Sequence, residues 1–184
     1  MRNVYFLLLP ALLLVSCDKI DEHYTYEGIV PGTNILESQL GTQLTWKEFQ
    51  EATKGVRYEY VRPYPCIEDN GKVFYSLSEE NLYSGPYTRQ IQFEGDSLRY
   101  YTFTPGYMDV VVTVDAYVFN VESQALYKIE HPRVEGNVKD KVIFVNGDYL
   151  IFETNGSAQT PWYYTDNADF CRVVYKAVDK SQFI

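Results

Sequence analysis

Apolar and polar residues alternate with a period of two along most of the chain after Gly55, which is the pattern of half-buried β-strands. In the clearest case, residues 88–94, Ile91 and Phe93 fall on one face and polar residues fall on the other. An earlier stretch around Tyr24 is predicted either to form a short strand or to pack under the domain. We predict eight or nine short strands, at residues 56–61, 72–77, 88–94, 97–104, 109–119, 125–131, 141–145, 148–153 and 170–178.

The longest predicted strand, residues 109–119, has two distinct faces. One face carries Val110, Val112, Val114, Ala116 and Val118. The other carries Thr113, Asp115 and Tyr117. The pattern separates the two faces, but it does not say which of them points into the protein.

Turn residues separate the strands. Asn146-Gly147 is the strongest hairpin signal, because this dipeptide readily adopts the positive φ angles that a two-residue turn requires. Asn70-Gly71 is a second signal of the same kind. Pro63 and Pro65 are predicted to end the first strand, because proline lacks an amide hydrogen. Strands joined by short turns in chain order usually pair with their neighbours.

One short helix is predicted at residues 46–53. Thr45 is followed three residues later by Glu48, the capping-box spacing at which the two residues satisfy each other's backbone amides. Leu44 is placed to pack against Phe49, and Gly55 supplies the left-handed residue that ends the helix.

The first residues of the chain have the character of an export signal. Arg2 precedes an apolar run over residues 6–15, which is shorter than the roughly 20 residues of a membrane-spanning helix. The run ends in Leu14-Val15-Ser16-Cys17, which resembles the bacterial lipobox. That resemblance implies cleavage after Ser16 and a lipid on Cys17. The alternative is that the run is a buried core segment.

The resulting division of the chain has three parts. Residues 1–16 are expected to be the lipoprotein signal peptide, residues 17–40 the lipid anchor and a leash, and residues 41–184 one β-barrel domain. The acidic residues just after Cys17 resemble signals that send lipoproteins to the outer face of the outer membrane. The expected location is therefore the outer membrane of a Gram-negative bacterium, with the domain either periplasmic or surface-exposed.

Charge excludes one class of function. Asp and Glu number 25 against 16 Lys and Arg, for a formal net charge of −9, and no basic cluster is present. Nucleic-acid binding requires Lys or Arg aligned on one face, so we do not expect it.

Two cysteines remain after Cys17 is assigned to lipid. In an oxidising compartment Cys66 and Cys171 form an even pair, and a bridge would close a loop of about 100 residues, worth about 4–5 kcal/mol in the chain-entropy model. The alternative is two separate thiols, because cysteines distant in sequence need not meet in space.

Three stretches suggest a family: residues 115–129, the hairpin of residues 142–151 and the ending at residues 171–178. Together they resemble the lipocalin-like domains of Gram-negative lipoproteins. The resemblance covers about residues 57–178, and the chain lacks the early Gly-x-Trp of better-known lipocalins. It implies an all-β fold, an antiparallel up-and-down barrel of about eight strands with one short N-terminal helix. It also implies that a small apolar or amphipathic molecule binds at an open mouth.

Tyrosine is unusually frequent, at 18 of 184 residues. Aromatic residues favour strands, but they also line clefts that bind sugars and amphipathic molecules. The polar loops at residues 78–87 and 155–167 are the expected rim of a binding site, because binding residues concentrate on long loops of a rigid scaffold. The predicted ligand-binding residues are Tyr83, Tyr87, Trp162, Tyr163 and Tyr164.

No catalytic, metal or nucleotide motif is found, so we expect a protein that is not an enzyme and carries no cofactor or metal. His131 and Cys66 are of the residue types that act as base and nucleophile, but nothing in the sequence brings them together. The pair Glu79-Glu80 is typical of a solvated loop.

The sequence leaves three functions open. The first is a cup that binds a small amphipathic molecule or a glycan. The second is a structural subunit of the cell envelope, with a barrel filled by side chains and an aromatic surface that docks onto a partner protein or a polysaccharide layer. The third is an inhibitor of another organism's enzyme.

Overall fold

The computed structural model describes residues 23–77, 87–103, 110–128, 140–154 and 168–182. Within these ranges the fold is all-β with one short α-helix and two single turns of 3-10 helix, Glu37–Gln39 and Lys180–Gln182. The elements are β1 Tyr24–Thr25, α1 Trp46–Thr53, β2 Arg57–Asp69, β3 Lys72–Ser76, β4 Tyr87–Glu94, β5 Ser97–Phe103, β6 Val110–Asn120, β7 Ala125–Lys128, β8 Asp140–Val145, β9 Tyr149–Thr154 and β10 Phe170–Ala177.

Eight of the strands are hydrogen-bonded in a closed antiparallel ring. Each strand from β4 to β9 pairs with the next one along the chain, and β2 closes the ring by pairing with both β10 and β4. Residues 57–59 of β2 lie beside β4, whereas residues 66–69 lie beside β3. Strand β1 pairs with the outer edge of β3, so β3 and β1 extend the sheet outside the ring.

The predicted positions of the strands and of the helix are confirmed over the described residues, with one clear error at β2. This strand does not end at its prolines: Pro63 and Pro65 lie inside it, opposite Val173 and Cys171 of β10. The reason is the one-sided pairing of this part of β2. Among the described strands, none pairs with the second edge of residues 60–65, and proline is tolerated at such an edge because no amide is required there.

The two Asn-Gly turns differ from each other. Asn70 and Gly71 have φ angles of 51° and 73°, as a two-residue hairpin turn requires. At the β8–β9 turn the hairpin is present, but Asn146 is not among the residues with positive φ. Instead, its side-chain oxygen accepts hydrogen bonds from the amides of Asp148 and Tyr149, at 2.9 and 2.7 Å. The expected backbone geometry of this turn was therefore wrong, because the side chain of Asn146 organises it.

Helix α1 closes one end of the ring. Its N-terminus has the predicted capping box between Thr45 and Glu48. Phe49 is fully buried and stacks on Phe119, with ring centroids 4.9 Å apart, while its contact with Phe93 is edge-on at 5.1 Å. The inner core at this end consists of Phe49, Tyr58, Ile91, Phe93, Leu98, Tyr117, Phe119, Val142, Leu150, Phe152 and Val173.

A second core lies on the outside of the ring, under the N-terminal segment (residues 28–41). Val30 and Ile35 of this segment are buried against outward-facing residues of β2, β8, β9 and β10. Gly32 has a φ of +74°, and a Cβ built on it would lie 2.7 Å from the hydroxyl of Tyr64. The close approach of the N-terminal segment to β2 therefore requires glycine at this position.

The two faces of β6 are as predicted, and the structure identifies the inner one. Tyr117 and Phe119 are buried in the inner core, so the valine face points outwards. Val114 and Val118 are about half exposed, at 53% and 50%. Burial of the larger aromatic side chains removes more apolar area from water, which favours this orientation.

The strands define two ends of the ring. The turns β4–β5, β6–β7 and β8–β9 lie at the same end as α1. At the opposite end, called the far end, β5 ends at Phe103, β6 begins at Val110 and β9 ends at Thr154. No helix of the described residues is long and apolar enough to cross a membrane.

Candidate functional site

Solvent reaches the inner face of the ring near the far end. Val111 pairs with Thr102, and Thr113 pairs with Tyr100, both on the same face as the inner-core residue Leu98. Although Val111 points inwards, it is 57% exposed, and Thr113 is exposed as well. The interior is therefore packed at the α1 end, whereas residues 111–114 at the far end of β6 are exposed on both faces of the strand.

Three half-buried tyrosines line the inner face of the ring beside the inner core. Tyr60, Tyr100 and Tyr175 pack against the inner core without being fully covered. The rings of Tyr60 and Tyr175 meet edge to face, with centroids 5.6 Å apart, and Tyr175 contacts Phe152 in the same way at 5.8 Å. Tyrosine offers an apolar ring together with one hydroxyl, which suits an amphipathic or sugar-like molecule.

Thr154 and Cys171 face each other across the β9–β10 pair on the inner side. Both are buried, and the hydroxyl oxygen of Thr154 has no hydrogen-bond partner among the described residues. A buried hydroxyl without a partner is costly, and such groups are often found where a ligand or water supplies the missing bond. Burial raises the pKa of the Cys171 thiol to about 12, so this thiol is not a nucleophile at neutral pH.

Cys66 and Cys171 are both free thiols in this structure. Cys66 pairs with Phe170, which places its side chain on the outer face, whereas the next residue, Cys171, belongs to the inner face. The Cys66 thiol donates to the carbonyl of Tyr64, and burial raises its pKa well above its usual range. It therefore lacks the reactivity of a catalytic cysteine.

A buried ionic cluster lies on the outer face beneath the N-terminal segment. Nη1 of Arg172 donates to both carboxylate oxygens of Glu37, and Nη2 lies 3.6 Å from a carboxylate oxygen of Glu153. The hydroxyl of Tyr75 is hydrogen-bonded within the same cluster, to Glu37 and Arg172. Burial is the largest influence on Tyr75 and raises the pKa of its hydroxyl, although Arg172 acts in the opposite direction.

This cluster was not predicted from the sequence. The available signal was a single arginine within the apolar run of β10, because a charge in such a run needs a partner. Its partners could not be identified, since Glu37 lies 135 positions away. The Nε of Arg172 has no partner among the described residues, but the cluster is closed by its own carboxylates and serves to fix the N-terminal segment to β10.

Most of the predicted site residues lie outside the described residues. These are Cys17, Tyr83, Trp162, Tyr163 and Tyr164, together with His131, Glu79 and Glu80. Tyr87 is the first residue of β4, with its Cα opposite that of Phe103 at the far end. In the described part of the chain, no three of His, Cys, Asp and Glu come close enough together to hold a metal ion.

Comparison with known proteins gives no match to a family model, a curated protein or a solved structure. Function must therefore be argued from the side chains themselves. The inner face of the ring, with its half-buried tyrosines and the exposed inward side chain of Val111, is the best candidate for a binding site.

Proposed function

We propose that this chain is a non-catalytic lipoprotein, anchored by a lipid on Cys17 to the outer membrane of a Gram-negative bacterium, and that its ring is a lipocalin-like barrel. The barrel binds a small amphipathic or carbohydrate-like ligand at its far end. The observation that carries this proposal is Val111, a side chain that points into the ring and is nevertheless 57% exposed.

The chemistry of the inner face supports an amphipathic ligand. The half-buried rings of Tyr60, Tyr100 and Tyr175 supply apolar surface on the inner face. Thr113 and Thr154 supply hydroxyl groups that can donate or accept hydrogen bonds. An apolar surface with a few polar groups is typical of small-molecule sites.

The anchor is supported by the first seventeen residues. Leu14-Val15-Ser16-Cys17 resembles a lipobox, and the apolar run before it is shorter than a membrane span. The domain then lies on the periplasmic or the external side of the membrane.

A structural subunit that docks onto an envelope protein is the second candidate. The aromatic core around Phe49 fills the α1 end of the ring. A structural subunit would have its whole interior filled with side chains in this way. The exposed face of Val112, Val114 and Val118 offers a docking surface. The exposed inward side chain of Val111 favours the binding function over this one.

The test is a pair of substitutions on neighbouring residues of β6 that face opposite sides. Val111→Trp fills the inner face, whereas Val112→Trp adds the same side chain to the outer face, where Val112 is 47% exposed. Both sites are exposed, so we expect both variants to fold. Hexyl, octyl and decyl glucosides and free glucose serve as probes in isothermal titration calorimetry, at concentrations below micelle formation.

We expect an alkyl glucoside to bind, with affinity that increases with chain length, and Val111→Trp to lower that affinity by about tenfold or more. The Val112→Trp protein should bind as the unmodified protein does. If no glucoside binds, or if the two variants lose affinity equally, the structural candidate is favoured instead.

A further inference from the structure

Four exposed apolar side chains lie where the chain enters the described structure. They are Tyr26, Ile29, Leu36 and Leu77, which we call the entry patch. Their exposed fractions range from 37% for Ile29 to 47% for Leu36. Exposed apolar groups that adjoin one another on a folded protein often mark a surface that contacts a partner or a membrane.

A backbone bridge connects two members of the patch, and the other two follow the paired strands β1 and β3. Ile29 and Leu36 face each other in an antiparallel bridge. The hydroxyl of Tyr26 lies 3.7 Å from the position of a Cβ on Gly28, the residue before Ile29. At the other side of β1, the amide of Leu77 donates to the carbonyl of His23 at 3.4 Å.

Ile29 and Leu36 are held in place because each has a buried neighbour in sequence. Val30 follows Ile29 and Ile35 precedes Leu36, and both belong to the outer core. The N-terminal segment thus turns one residue of each pair into the protein and the other towards solvent. The amide of Glu37 also donates to the carbonyl of Gly28 at 3.0 Å, which fixes the two arms of the segment together.

The position of Cys17 limits where a membrane can lie. Six Cα–Cα steps separate Cys17 from His23, so a fully extended chain spans at most about 20 Å between them. A lipid on Cys17 would therefore keep His23, and the patch that adjoins it, close to the bilayer. The outward valine face of β6 is separated from β1 by the four strands β3, β2, β4 and β5.

We propose that the entry patch is the membrane-contacting surface of the domain and lies against the lipid bilayer in which Cys17 is anchored. This inference rests on the proposed lipid anchor. The contact is mainly apolar, because its four members are uncharged and the charges beside Tyr26 are opposite in sign: the exposed Glu27, and Lys72, whose Nζ lies 5.2 Å from the centre of the Tyr26 ring. Its strength should therefore depend little on salt.

The test compares two apolar residues of similar exposure, Leu36 and Val118, which lie on different sides of the ring. Leu36→Cys lies in the patch at 47% exposure, and Val118→Cys lies on the valine face of β6 at 50%. Each variant of the full chain is produced in a bacterial host, extracted in detergent and labelled with the environment-sensitive dye NBD. The native Cys66 and Cys171 are buried and should not be labelled.

The labelled proteins are placed in phosphatidylcholine vesicles, and the intact mass shows whether Cys17 carries lipid. We expect several-fold brighter NBD fluorescence and slower bleaching by dithionite at position 36 than at position 118, at salt concentrations from about 0.1 M to about 1 M. A brighter signal at position 118, equal signals, or a dim signal at both sites overturns the entry patch even when the lipid is present.

An unmodified Cys17 would instead refute the proposed anchor. In that case the same two variants, carrying Cys17→Ser and an N-terminal hexahistidine, are bound to vesicles that contain a nickel-chelating lipid. A bright label only at position 36 would still support the patch as a membrane-contacting surface, and any other pattern would overturn it.

Discussion

Nη1 of Arg172 donates to both carboxylate oxygens of Glu37, at 2.7 and 2.6 Å, across 135 positions of the sequence. The bond joins β10 of the ring to the N-terminal segment outside it. Both side chains are largely buried, with 7% and 19% of their surface exposed. The N-terminal segment is therefore held by an ion pair as well as by its apolar residues.

Arg172→Met should lower the free energy of unfolding by about 3 kcal/mol, because it leaves the Glu37 carboxylate buried without its cation. Equilibrium urea denaturation measures this loss. Lys47→Met is the matched control, since Lys47 pairs with Glu51 at 3.8 Å on the exposed surface of α1. The control should change the free energy by less than about 0.5 kcal/mol. Equal effects of the two substitutions would contradict the structural role of the Arg172 cluster.

The number of reactive thiols in the folded and in the unfolded protein tests the state of all three cysteines. Cys66 and Cys171 are buried, and burial raises the pKa of both thiols, so the folded protein should show neither to Ellman's reagent at about pH 8. Unfolding in guanidinium without reductant should release two thiols per chain if Cys17 carries lipid. A third thiol, reactive already in the folded protein, would contradict the lipid on Cys17. No thiol after unfolding would mean that Cys66 and Cys171 are bridged.

Thr154 and Thr53 are buried to the same degree but differ in their hydrogen bonds. The hydroxyl of Thr53 donates to the carbonyl of Phe49 at 2.9 Å, whereas that of Thr154 has no partner in the described structure. Thr154→Val should therefore raise the free energy of unfolding by about 1 kcal/mol, and Thr53→Val should lower it by about 1 kcal/mol. Thermal unfolding with a fitted enthalpy measures both changes. A loss of stability in Thr154→Val would mean that its hydroxyl has a partner.

Acid should weaken the start of α1. Hydrogen bonds from the backbone amide of Thr45 and then from its hydroxyl lower the pKa of Glu48 below its ordinary value of 4.5. The stabilisation from this lowered pKa is fully present above 4.5 and is lost as the pH falls through the folded value. The melting temperature of Glu48→Gln should therefore lie below that of the unmodified protein at neutral pH, and the difference should shrink in acid. A difference that stays constant with pH would contradict the charged capping box.

Local sequence patterns were enough to predict where the helix and the strands lie, but not which strands pair with each other. The capping box at Thr45 and the alternation in β4 each act within a few residues, and both are found where they were predicted. The pairing of β2 with β4 and β10 depends on contacts between distant segments, which no local pattern encodes. The unpaired edge that allows Pro63 and Pro65 inside β2 could be recognised only once that pairing was known.

The site was harder to predict than the fold for a related reason. Alternation separated Val111 from Val112, but exposure of an inward side chain depends on what the other strands leave unfilled. The tyrosines favoured from the sequence lay in loops, whereas the described structure places Tyr60, Tyr100 and Tyr175 on the ring strands themselves. The amino-acid composition of the chain could not distinguish a tyrosine that fills the core from a tyrosine that borders an open space.

The position of β2 also determines the order in which the protein can fold. β2 is made early, but its partner β10 comes about 100 residues later, so the ring can close only when nearly the whole chain is available. Until then β2 presents an unpaired edge that could add a strand from another copy of the chain. Pro63 and Pro65 lack amides at the opposite edge of residues 60–65, which no described strand covers even in the folded ring, and so reduce the risk that another chain adds a strand on that side.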